Sequence, residues 1–183
     1  MRCGRRLIGA QVAFVVLGLE GEARGAAQEL GWSEVGDGIG VVFPATTRFL
    51  DRAYANFERY APAMLRQLTG AGGLPWQPAL SRTMAALEPL DIHWYLVGSG
   101  ALAVRGIPVT PRDIDLVTDI HGARVLEDAL QQWLVQPLVA SPGWIADSFT
   151  RAFLGVRVEW AGGVHADVDG EEPSDFGPLP HPG

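Results

Sequence analysis

Val97-Gly98-Ser99, followed after thirteen residues by Asp113-Ile114-Asp115-Leu116, is the stretch on which the reading of this chain turns. The apolar run Ile92–Val97 predicts a buried strand. Gly98-Ser99-Gly100 breaks it, and Ala101–Arg105 predicts a short helix ended by Gly106. Gly98 and Gly100 let the backbone come close to a ligand, and Ser99 adds a hydroxyl. A helix starting directly after such a turn offers unpaired N–H donors to an anion.

Asp113 and Asp115 alternate with apolar residues. In a strand both carboxylates therefore share one face, and Ile114 and Leu116 take the other. An isolated Asp-x-Asp is commonly a solvent-facing pair on an edge strand. Here it follows a phosphate-type turn, and two adjacent carboxylates repel unless a cation lies between them. Oxygen ligands without His or Cys point to Mg²⁺ or Mn²⁺.

Outward from this stretch, helical spacing marks a long helix through Phe49, Leu50, Ala53, Phe57, Tyr60, Met64, Leu65 and Leu68, kinked or split at Pro62. Leu80, Met84 and Leu87 mark another helix, stopped by Pro89. His121–Leu134 is amphipathic. Phe149–Leu154 and Val156–Trp160 flank Gly155 like a hairpin. Nearer the N-terminus, a short helix (Ala23–Leu30) and a short strand (Ile39–Phe43) are expected. The order implies an α/β or α+β domain. Thr69–Pro75 is the best boundary, giving an N-terminal, mainly helical extension (1–77), a main domain (78–169) and a loosely attached tail (170–183).

Arg2, Arg5 and Arg6 precede the apolar run Leu7–Leu19, in outline a signal peptide with a mediocre cleavage site at Ala23-Arg24-Gly25-Ala26. A buried strand and an over-extended start are the other readings. The run is too short to cross a membrane as a helix.

Composition narrows the function. The 183 residues contain 14 Arg and no Lys. That excludes a P-loop and Schiff-base or pyridoxal-phosphate chemistry. One cysteine, Cys3, excludes an internal disulfide and a Cys-cluster zinc site. The four His (93, 121, 165, 181) lack metal-ligand spacing. A net charge of −7 disfavours broad binding to nucleic acid. Residues 1–77 hold 8 Arg against 7 acids, whereas the remainder holds 6 Arg against 14, so the acidity gathers around the aspartate pair.

Hydrophobic-Gly-Ser, a spacer and Asp-hydrophobic-Asp-hydrophobic resemble the signature of the polymerase-beta-like nucleotidyltransferase superfamily. The wider stretch, Trp94–Gly106 through Arg112–Leu116, resembles its small-substrate branch, the aminoglycoside and lincosamide adenylyltransferases and abortive-infection-type toxins. The likeness covers about residues 78–169. It implies an α+β nucleotidyltransferase fold, a small mixed sheet flanked by helices. It also implies an ATP- or other triphosphate-using enzyme whose Mg²⁺ (or Mn²⁺) is held by Asp113 and Asp115. The third carboxylate would be Glu159, in the alternating run Val156–Trp160, with Asp167 and Asp169 as runners-up. Glu159 would complete a second metal site or accept a proton from the acceptor hydroxyl. Gly98 and Ser99 would meet the β- and γ-phosphates, steadied by Arg112 and Arg105. Trp144, Trp160 and His165 are lesser candidates for touching substrate.

The resemblance implies a small hydroxyl-bearing acceptor, such as an aminoglycoside-like antibiotic, in a cytoplasmic protein with neither nucleic-acid polymer nor membrane as partner. Its relatives carry further helices after the third carboxylate. Here only 24 residues follow Glu159, which suggests truncation. The alternative is a weak or inactive module of this fold in a toxin–antitoxin or phage-defence pair, bound to a partner protein.

Overall fold

Five consecutive residues, Val12–Val16, are buried, which places their strand at the centre of a sheet covered on both faces. In the computed structural model, which describes residues 1–70, 73–141 and 145–164, this strand belongs to an antiparallel hairpin of β1 (Arg2–Ile8) and β2 (Gln11–Leu17). The fold is α+β. Next come α1 (Gly21–Glu29), β3 (Ser33–Val35), β4 (Gly38–Pro44), α2 (Leu50–Thr69) and α3 (Trp76–Leu87). They are followed by β5 (Trp94–Val97), α4 (Gly98–Val104), β6 (Asp113–Thr118), α5 (Ile120–Leu130), β7 (Leu134–Ala140), β8 (Ala146–Phe153) and β9 (Arg157–Val164).

The expected mainly helical extension is thus a mixed one, with a four-stranded sheet in the order β1-β2-β4-β3. The apolar run Leu7–Leu19 crosses the turn of the first hairpin and supplies its central strand. Double-sided burial hid the period-two alternation that marks a strand. Phe14, Val12 and Val16 face the main core, while Ala13 and Val15 pack with Val35 on the other side.

Helix α2 is continuous through Pro62, so the helix is not split there. Pro62 has no N–H for the carbonyl four residues earlier. That carbonyl, of Glu58, instead accepts a weak bond from the Cys3 thiol at 4.0 Å. One face of α2 is buried through Leu50, Ala53, Phe57, Ala61, Met64 and Leu65. Phe57 stacks near Phe14 and Trp32, and Tyr60 meets Phe153, so the helix joins both sheets in one contiguous core.

The second sheet has the order β5-β6-β9-β8-β7. The pair β6–β9 is parallel and the other pairs are antiparallel. Strand β5, expected to be buried, lies at an edge and none of its residues is fully buried. The expected face of α3 is also shifted: Ala79, Thr83 and Leu87 are buried, and Met84 is exposed. The Thr83 hydroxyl satisfies itself on the Ala79 carbonyl at 2.9 Å, which lets a polar residue sit there. Helix α5 begins at Asp119, whose Oδ1 accepts from the Gly122 N–H at 2.6 Å. Among the described residues no helix is long and apolar enough to cross a membrane. The tail 170–183 lies outside the described residues.

Candidate active site

Strand β6 alternates as the sequence requires. Ile114, Leu116 and Thr118 are buried, and Asp113, Asp115 and Val117 face the other side. The parallel register sets Asp113 opposite Arg157 and Asp115 opposite Glu159. Since Arg157 and Glu159 are two apart on β9, all four side chains share one face.

The turn before α4 closes on this face. Val97 pairs with Asp115, and Gly98 has φ +63°. A Cβ at Gly98 would stand 2.5 Å from Asp115 Oδ2. Both the backbone angle and the space call for glycine. Ser99 follows, half-buried, at the start of α4. Arg112 is exposed just before β6, and its charge reaches Asp113. Arg105 sits at the opposite end of α4, roughly 10 Å along the helix by its rise per residue.

Two further arginines dominate the site, and neither was singled out from the sequence. Arg157 Nη2 donates to Asp113 Oδ2 at 2.5 Å, and its Nη1 donates to Glu159 Oε1 at 3.2 Å. Arg151, opposite Glu159 across β8–β9, donates from Nε to the same Oε1 at 2.7 Å. Its Nη1 also donates to Gln136 Oε1 and to the Leu30 carbonyl. The alternation Arg157-Val158-Glu159 was a usable signal for Arg157. Arg151 was within reach too, because the expected hairpin about Gly155 sets residue 151 opposite residue 159.

Burial pushes the Asp115 carboxyl up to about 7, aided by the charges of Asp113 and Glu159. The Asp113 carboxyl is also raised by burial, against the opposing pull of Arg157. The Asp115 side chain has no hydrogen-bond or ion-pair partner among the described residues. Asp113 and Asp115 together are the hard oxygen ligands this face would offer a cation. Glu159 Oε1 accepts from two guanidinium groups, and Asp113 Oδ2 from one. No group of three His, Cys, Asp or Glu side chains among the described residues is arranged to hold a metal ion.

An open cavity of about 580 Å³ adjoins the cluster. Asp115, Glu159 and Arg151 line its polar side, with Phe149 among its apolar walls. Glu29 and Leu30, at the end of α1, close it from the N-terminal half, where the Leu30 carbonyl holds Arg151. No sequence spacing pointed to this contribution from residues so distant. Trp160 is buried and its indole N–H donates to the Ala123 carbonyl at 3.1 Å, so it packs under the sheet. Trp144, His165, Asp167 and Asp169 lie outside the described residues.

No known family model and no curated protein matches the chain. Among solved structures, a candidate nucleotidyltransferase from Thermotoga maritima is similar, with 24% identity and a TM-score of 0.48. The match covers 51% of this chain and 60% of that protein, so it spans less than two thirds of its length.

Proposed function

We propose that this chain is a divalent-cation-dependent nucleotidyltransferase. It would move a nucleoside monophosphate from ATP or another nucleoside triphosphate to a hydroxyl of a small molecule. The observation that carries this reading is the placement of Asp113 and Asp115 side by side on β6, against the glycine turn at Gly98.

Asp113 and Asp115 would hold Mg²⁺ or Mn²⁺, which when bound lends positive charge to phosphoryl oxygens. The backbone at Gly98 and Ser99 would lie along the β- and γ-phosphates. With no Lys in the chain, Arg112, exposed beside Asp113, would meet the triphosphate. The acceptor hydroxyl would give its proton to a carboxylate of the cluster. Its oxygen would bond to the α-phosphorus, and the bond to the bridging oxygen would break, releasing pyrophosphate. The cavity between α1 and the second sheet would hold the acceptor, so the N-terminal half would supply part of its pocket. A volume of about 580 Å³ suits a drug-sized molecule. The acidity of residues 78–183 favours a cationic acceptor of the aminoglycoside kind.

One observation favours a second reading. Arg157 already bridges Asp113 and Glu159, as suits an inactive module that keeps the fold and binds a partner protein in a defence pair.

The test is transfer of label from an α-³²P nucleoside triphosphate, with Mg²⁺, to a panel of aminoglycosides and other polyols. Label should reach an acceptor and be lost in Asp113→Asn and Asp115→Asn. Absence of transfer across the panel, together with a partner complex that survives both substitutions, supports the second reading instead.

A further inference from the structure

We infer that Arg157 is a resident cation of the carboxylate site: its guanidinium bridges Asp113 and Glu159 in the place of a second divalent ion, and the chain binds one divalent ion at most. The inference rests on the reading of Asp113 and Asp115 as the cation-binding pair.

Three observations carry it. The first is register. Arg157 stands opposite Asp113 on the parallel pair and shares a strand face with Glu159, so the backbone itself aims the guanidinium between the two carboxylates. The contacts are 2.5 Å to Asp113 and 3.2 Å to Glu159. The second is burial. The Arg157 and Arg151 side chains are only 8% and 5% exposed. A guanidinium keeps its charge under such conditions, and a buried charge without a counter-ion is strongly unfavourable. Glu159 is thus bound to stay with its two arginines. The third is the pattern of pairing. The Asp115 side chain makes no hydrogen bond or ion pair among the described residues, so one divalent ion beside it displaces nothing, whereas a second, between Asp113 and Glu159, would have to displace the Arg157 guanidinium.

Glu159 is on this view a positioning residue. It holds Arg157 and Arg151 in place and is not a metal ligand. The Arg157 Nε, buried and without a partner among the described residues, is the atom left over by this two-pronged bridge.

The experiment counts Mn²⁺ ions bound per chain by electron paramagnetic resonance, without nucleotide, for the unaltered chain, Arg157→Gln and the double variant Arg157→Gln/Glu159→Gln. The unaltered chain should bind no more than one ion. Arg157→Gln should gain a second ion, or bind the first at least tenfold more tightly, and the double variant should return to the original behaviour. Two ions on the unaltered chain overturn the inference, whether or not the variants fold, as does unchanged Mn²⁺ binding in a folded Arg157→Gln. Neither result bears on whether the chain binds a triphosphate, which calorimetry with nucleotide reads separately.

Discussion

Asp115 and Glu159 stand opposite each other on the parallel strands β6 and β9, yet only Glu159 is paired with guanidinium groups. The two carboxylates therefore have different surroundings: Glu159 is held by Arg151 and Arg157, and Asp115 lines the cavity with no side-chain partner among the described residues.

The first consequence concerns stability without any metal. Glu159→Ala strips the shared acceptor from two buried arginines, and breaking a buried pair in this way costs about 3–5 kcal/mol. Urea unfolding in the presence of a chelator should show that loss. If Glu159 served only as a metal ligand, the metal-free protein would keep or gain stability on this substitution.

Gly98→Ala should also destabilise the chain, and by a different route. The new Cβ meets Asp115 Oδ2 at 2.5 Å in a left-handed backbone conformation. Strain of this kind costs about 1–3 kcal/mol, which thermal unfolding should register as a fall in Tm of several degrees. The same substitution at Gly73, where a Cβ meets nothing within 4 Å, serves as the control.

What the sequence made legible follows from local periodicity. The alternation Asp113-Ile114-Asp115-Leu116 and the glycine turn at Gly98 are local signals, and both stand as the pattern implied. The hairpin at Gly155 is likewise local. The first sheet was concealed because β2 is buried on both faces and shows no alternation. Strand β7 was concealed because Leu134–Ala140 continues directly from the amphipathic run of α5. The α1 end at Leu30 meets Arg151 across 121 residues of sequence, and no spacing rule reaches that far.

Cys3 offers a pH-dependent check on the packing of the N-terminal hairpin. Burial, with the charge of Glu58, pushes its thiol up from 9.0 to about 11. The folded chain thus holds this proton more tightly than the unfolded one. The stabilisation is fully present below about pH 9 and is lost as pH rises from 9 to 11. Stability measured across that range should fall more steeply for the native chain than for Cys3→Ala. Alkylation of the native thiol at pH 8 should be slower than in urea.

Pro62→Ala restores the backbone N–H that the Glu58 carbonyl lacks within α2. Removing proline from a helix interior is worth up to about 3 kcal/mol in a helix that carries no other compensation. A gain of roughly 1–2 kcal/mol is expected here, because Pro62 also restricts the unfolded chain. Equilibrium unfolding measures it directly, and a loss of stability would show that the proline is favoured by its packing.

The central claim is that Asp113 and Asp115 form the seat of a cation-bound triphosphate, and calorimetric titration with a non-hydrolysable ATP analogue tests it most directly. Heat of binding should appear with Mg²⁺, weaken at least tenfold with a chelator, and vanish in Asp115→Asn while circular dichroism confirms the fold. Binding of equal strength in the unaltered chain and in folded Asp115→Asn, or no binding of any nucleoside triphosphate by the folded chain, would contradict it.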